Sequence, residues 1–191
     1  MRPRALLEEW RRLPPRVAWF RLRARRLARR TGDEFSRVSV VRTDELGRLL
    51  ELARGRRTVV ELGTGTAWTA IALALADPRR RVVSYDPIAR EERERYIDLA
   101  RVRERLELIE LPGESGPPGG APPAELLFID SSHERQETLA AFSAWSGHLT
   151  PGAVVAFHDY NEPQYPGVTE AVRELGLSGE VFGHLFIWTA N

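Results

Sequence analysis

The sequence predicts an α/β protein: a doubly wound, mostly parallel seven-stranded sheet ending in an antiparallel hairpin and preceded by N-terminal helices. Three observations carry this. From residue 57 onward, short apolar β-rich runs alternate with helical stretches, the pattern of βαβ units in a sheet buried on both faces. The first run, 58–62, ends in glycines that open directly into a helix. The last two runs, 180–182 and 185–189, are separated by only Gly183 and His184. A parallel crossover needs about a dozen residues or more, so that pair must be antiparallel.

Residues 4–12 and 16–30 read as helices divided by Pro14-Pro15, a strong breaker. Thr43 is placed to cap a third helix, with Asp44 and Glu45 in its first turn and Leu46, Leu49, Leu50 and Leu52 on its apolar face. Strands then follow at 58–62, 81–86, 106–111, 126–130 and 153–158, interleaved with helices at 67–76, 88–104, 133–147 and 167–176. A Gly- and Pro-rich loop fills 112–123. The chain divides into an N-terminal helical arm, 1–42, and a ligand-binding domain, 43–191.

With 42% hydrophobic residues and no cysteine, the chain reads as globular and without disulfide or thiolate chemistry. Neither a membrane-spanning run nor a secretory signal is recognisable, so the cytoplasm is the expected location. All 28 basic residues are arginine, and eleven lie within 1–30 against Glu8 and Glu9. The arm therefore carries about +9 and the remainder about −8. Such an arm can bind RNA or an anionic membrane, or pack on the protein's own acidic surface or a partner subunit; the last is favoured, with a homodimer expected.

The first strand and turn read Val59-Val60-Glu61-Leu62-Gly63-Thr64-Gly65-Thr66-Ala67-Trp68. Glycines after a buried strand let a ligand approach the backbone where a Cβ would collide. A dinucleotide fingerprint needs a third glycine where Trp68 stands, and Glu61 suits a cationic ammonium better than a pyrophosphate. Asp86, at the end of the second strand, is spaced to accept hydrogen bonds from ribose hydroxyls.

These paired motifs resemble class I S-adenosylmethionine-dependent methyltransferases, which are Rossmann-like and whose seventh strand runs antiparallel. The resemblance covers about residues 40–191 and implies S-adenosylmethionine as cofactor, held by Glu61, Gly63, Thr64, Gly65, Trp68, Asp86, Pro87, Glu114 and Asp130. Ala67 departs from the pattern, since many members have glycine there.

Two further stretches, Phe128-Ile129-Asp130-Ser131-Ser132-His133 and Phe157-His158-Asp159-Tyr160, sit at the carboxyl ends of neighbouring strands. That is the edge where open α/β sheets bind ligands. With Pro151-Gly152 and Pro166-Gly167-Val168 they are similar to methyltransferase family 24 and to metal-dependent O-methyltransferases of catechols and macrolide sugars. The resemblance implies a divalent ion on Asp130, His158 and Asp159, with His133 as the base. An imidazole at 158, where family members often carry Asp or Glu, suits a transition metal better than magnesium. The implied activity is O-methylation of a small-molecule hydroxyl. Two rivals remain: an RNA methyltransferase using the arginine-rich arm, and a non-catalytic S-adenosylmethionine-binding module. Against the first, the only aromatics of residues 1–30 are Trp10, Trp19 and Phe20, and the body is acidic.

Overall fold

The computed structural model describes residues 11–191; the helix expected over 4–12 lies almost wholly outside them. Three helices come first: α1 (Pro15–Thr31), α2 (Glu34–Val38) and α3 (Thr43–Leu52). Then β1 (Thr58–Leu62), α4 (Trp68–Ala76), β2 (Arg81–Tyr85), α5 (Glu92–Ala100), β3 (Leu106–Ile109) and β4 (Ala124–Ile129) follow in turn. The chain closes with α6 (Arg135–Ser146), β5 (Leu149–Phe157), α7 (Pro166–Glu174), β6 (Glu180–Phe182) and β7 (Leu185–Thr189). The sheet order is β3-β2-β1-β4-β5-β7-β6, and β1 to β5 are parallel. As the two-residue connection required, β7 runs antiparallel to both β5 and β6. The fold is Rossmann-like. No helix of the described residues is long and apolar enough to cross a membrane.

Side chains alternate along each central strand between two cores. Val59, Leu126, Phe128, Val154 and Ala156 point into a layer shared with α1, α3, α4 and α5. Their neighbours Val60, Leu127, Ile129, Val155 and Phe157 point into the layer under α6 and α7. The period of two thus explains why these strands read as continuous apolar runs.

Several boundaries shift for identifiable reasons. Arg42, not Thr43, occupies the cap position of α3, and Thr43 is its first residue. The helix expected over 88–104 begins only at Glu92 because Asp86 and Arg93 hold the preceding loop: Asp86 Oδ1 accepts from Ile88 N at 2.8 Å, and Arg93 Nη2 donates to Ile88 O at 2.5 Å. It ends where Arg101 adopts a left-handed φ of 56°. The helix expected from 133 begins at Arg135, since Ser132 Oγ accepts from Glu134 N at 3.0 Å and keeps this stretch a turn. β5 begins four residues early: Gly152, at φ 74°, absorbs the irregularity through which Pro151 is accommodated.

Candidate active site

The carboxyl ends of β1, β2, β4 and β5 open into one cavity of about 860 Å³. At the end of β1, Gly63 has φ 100°, and a Cβ there would lie 2.0 Å from the Asp130 carbonyl oxygen. Only glycine lets the β1 turn pass this close to β4. Gly65 also takes a left-handed φ, and Ala67 does so at 67°. An alanine in that region is strained, which gives the physical sense of the glycine more usual at this position.

Beneath the turn, Glu61 is 1% exposed and accepts a hydrogen bond from Ser84 Oγ, which also contacts Thr64 Oγ1 at 2.7 Å. Burial, reinforced by the charges of Asp130 and Asp86 against the bond from Ser84, pushes the Glu61 pKa up to about 8. Asp86 sits one residue beyond β2. Its Oδ2 accepts from Gly65 N at 2.8 Å and pairs with Arg93 Nη2 at 2.9 Å. Arg93 also donates from Nε to Gly65 O at 2.8 Å, so this buried arginine locks the glycine turn to the second strand. Trp68, Pro87 and Glu114 all line the cavity. Trp68 opens α4 and packs edge-on against Phe20 and Tyr96.

The opposite wall holds Asp130, His133, His158 and Asp159. Asp159 follows β5 with φ 58°, a conformation that aspartate tolerates better than most residues and that turns its carboxylate back toward the site. His133 Nε2 lies 2.9 Å from Asp159 Oδ2, and its ring stacks on Tyr165 at 3.8 Å. The bond to Asp159 raises the His133 pKa above its ordinary value, with Asp130 adding to the effect against burial. His158 Nδ1 is 3.0 Å from Asp130 Oδ1 and 3.1 Å from Asp159 Oδ2, and Nε2 is 3.4 Å from Glu45 Oε2. His158 Nδ1 is buried and, despite these short distances, makes no well-directed hydrogen bond. Burial alone would lower the His158 pKa; the charge of Asp130, with the Asp159 and Glu45 carboxylates close by, holds it well above the usual value. Burial would likewise raise Asp159, but the pairing with His133 and the neighbouring His158 ring hold it well below the carboxylate range.

All four residues singled out at the two strand ends therefore meet in one wall. Ligand atoms of Asp130, His133 and Asp159 lie within 4.8 Å of one another, so among the described residues the group placed to share an ion holds His133, expected as the base, and not His158. Glu45 was not recognised from sequence as a site residue. It is 1% exposed, accepts from His184 N at 2.8 Å through Oε1, and reaches His158 through Oε2. As one acid among two in a helix's first turn, it carried no distinguishing signal. Arg93, within the run Glu91-Glu92-Arg93-Glu94-Arg95, was equally anonymous.

Residues 60–160 match the model of methyltransferase family 24, described as a methyltransferase domain. Three solved structures share the fold at low identity. One is the O-methyltransferase TomG from Streptomyces achromogenes in complex with S-adenosylmethionine (20% identity, TM-score 0.62, 80% of this chain and 82% of that one). Another is an O-methyltransferase from Bacillus cereus in complex with S-adenosylhomocysteine (17%, 0.70, 93% and 91%). The third is cofactor-bound Rv0187 from MTB (21%, 0.71, 93% and 89%). No curated protein matches the sequence.

Proposed function

The chain belongs to methyltransferase family 24 and is an S-adenosylmethionine-dependent methyltransferase, and from that premise we propose that its acceptor is a hydroxyl oxygen of a small molecule. The observation that carries this reading is the shared cavity: the glycine turn and Asp86 form one wall, and the His133–Asp159 pair faces them from strand ends of the same sheet.

The residues suit S-adenosylmethionine. The cradle at Gly63 admits no side chain, and Asp86 keeps an acceptor position free beyond its bonds to Gly65, Ile88 and Arg93 for a ribose hydroxyl; Glu61 is buried beneath the turn and does not itself line the cavity. When bound, the cofactor supplies an electrophilic methyl group on a sulfonium. His133 removes the acceptor's proton: Asp159 anchors its Nε2, leaving the other ring nitrogen for the substrate. A base of this kind contributes about 10²–10⁴-fold. Tyr165, stacked on the ring, fixes its orientation.

The donor set also fits a divalent ion. The His158 Nδ1, which makes no well-directed hydrogen bond, lies 3.0 Å from Asp130 Oδ1 and 3.1 Å from Asp159 Oδ2. Asp130, Asp159 and His158 would hold the ion, whose chemistry would be to orient the acceptor oxygen and ease its deprotonation. Because ligation needs a neutral imidazole, uptake of the ion should release the His158 proton.

The test combines binding and turnover. S-adenosylhomocysteine should raise the melting temperature and NADH should not; the reverse would remove the reading. His133→Ala should lower kcat while leaving S-adenosylhomocysteine affinity and metal affinity intact. His158→Ala should abolish metal uptake measured by calorimetry. Metal uptake lost instead in His133→Ala would transfer the ligand role to His133.

A further inference from the structure

Helix α1 presents two unlike faces. Val17, Phe20, Ala24 and Ala28 are buried in the core against α4 and α5, so the helix cannot rotate about its axis. The other face carries Arg16, Trp19, Arg23, Arg26 and Arg30, all exposed, at alternating spacings of three and four that align them in one stripe, with Arg29 beside it. At about 1.5 Å per residue the stripe runs about 21 Å. Among the described residues, none of these five arginines has an ion-pair or hydrogen-bonding partner. Trp19, in the middle, is 48% exposed.

The stripe ends beside the cavity. Only Gly32 and Asp33 separate α1 from α2, and Asp33 ties the corner to the core by accepting hydrogen bonds from Ser36 and Tyr96. On α2 and the loop after β2, Phe35, Val38 (80% exposed) and Ile88 (56%) line the cavity's mouth. The cations thus lead into a rim of exposed apolar side chains, of which Phe35 is met on one ring face by the Arg90 guanidinium, 3.6 Å from the ring centre.

We propose that the outer face of α1, continued by the Phe35, Val38 and Ile88 rim, is a docking surface for an anionic lipid bilayer. Guanidinium groups spaced one per turn meet phosphate headgroups, and Trp19 supplies the amphipathic ring that settles at a membrane interface. The rim adds apolar side chains of the kind that enter the headgroup boundary. A nucleic-acid strand fits less well. The stripe offers a single aromatic for base stacking. Symmetric pairing of two copies through this face would oppose two rows of arginines. Docking stands independently of the reaction assigned to the cavity.

The experiment is co-sedimentation of the full chain with vesicles of phosphatidylcholine alone or mixed with phosphatidylglycerol. The protein should pellet only with the anionic vesicles and be released at about 0.5 M salt, where charge screening is nearly complete at headgroup distances. Each arginine removed should weaken partitioning about fivefold, so Arg23→Gln/Arg26→Gln together should weaken it about 25-fold. Trp19→Ala and Val38→Asp should each weaken it further. Unchanged S-adenosylhomocysteine binding in the Arg23→Gln/Arg26→Gln and Trp19→Ala variants shows that the fold and the cofactor site are intact. Failure to pellet with anionic vesicles overturns the proposal, as does pelleting indifferent to both the arginine and Trp19 variants. Tighter binding of a single-stranded RNA oligonucleotide at the same salt, lost in the same variants, overturns it in favour of nucleic acid.

Discussion

Glu61 carries an unusual burden for one side chain. It is a fully buried carboxyl group beneath the glycine turn, with a pKa pushed up to about 8, chiefly by burial. In the empty protein at neutral pH it is therefore mostly protonated. Because its folded pKa lies above the unfolded value of 4.5, the stability it lends is fully present below that value. The stability is then lost as pH rises toward and through 8. Glu61→Gln, which mimics the protonated form and keeps an acceptor for Ser84, should be about 5 kcal/mol more stable than the parent near pH 9, with the difference vanishing near pH 4. The same variant should bind S-adenosylhomocysteine more weakly, because the group beneath the turn can no longer ionise in response to the ligand's ammonium. Calorimetry in buffers of different ionisation enthalpy should show net proton release on binding to the parent and not to the variant. Equal denaturation midpoints for the two proteins at pH 9 would show that burial does not raise the Glu61 pKa and that the group is already ionised at neutral pH.

Among the elements, α3 shows most clearly what a sequence hides. The strand periodicity, the glycine turn and the two-residue hairpin are local patterns, so the sheet and the antiparallel strand were legible, as were the strand ends carrying Asp130 and Asp159. Glu45, Arg93 and Tyr165 matter through contacts with residues distant in the chain, and no local pattern marks them. Glu45 of α3 joins His158 after β5 and the His184 amide of the β6–β7 turn in one buried contact. A Cβ on Gly183 would stand 2.6 Å from Glu45 Oε1, so that turn is closed around the carboxylate. Burial would raise the Glu45 pKa, but the bonds from His158 and the His184 amide hold it below the ordinary value, and the group acts as an anion. Glu45→Ala would leave a buried imidazole and a backbone N–H without their acceptor. The expected loss is about 3–5 kcal/mol, as for one partner removed from a buried charged pair. Glu45→Gln, which keeps an acceptor for the amide but not the charge, should recover part of it. Urea midpoints of the two variants check this. An Ala variant as stable as the parent would mean that α3 does not hold the hairpin.

On the scale of the whole molecule, the arginine-rich segment is divided between two roles one residue apart. Phe20 is 3% exposed and meets Trp68, the first residue of α4, edge-on at 6.1 Å between ring centroids. Trp19 points outward from the same turn of α1. α1 is therefore part of the core that supports the cofactor wall as well as the bearer of the cationic stripe. Phe20→Ala should cost about 3–5 kcal/mol, lowering the melting temperature by about 10 °C in a chain of this length. It should also weaken S-adenosylhomocysteine binding, because Trp68 loses the ring that fixes the start of α4. Trp19→Ala should shift stability by less than about 0.5 kcal/mol, the usual range for an exposed substitution, and leave cofactor affinity unchanged. Thermal denaturation with and without S-adenosylhomocysteine measures both effects on both variants. If Phe20→Ala proved as mild as Trp19→Ala, α1 would have to be an appended arm, and the support it gives to Trp68 would have to come from α5 through Tyr96 alone.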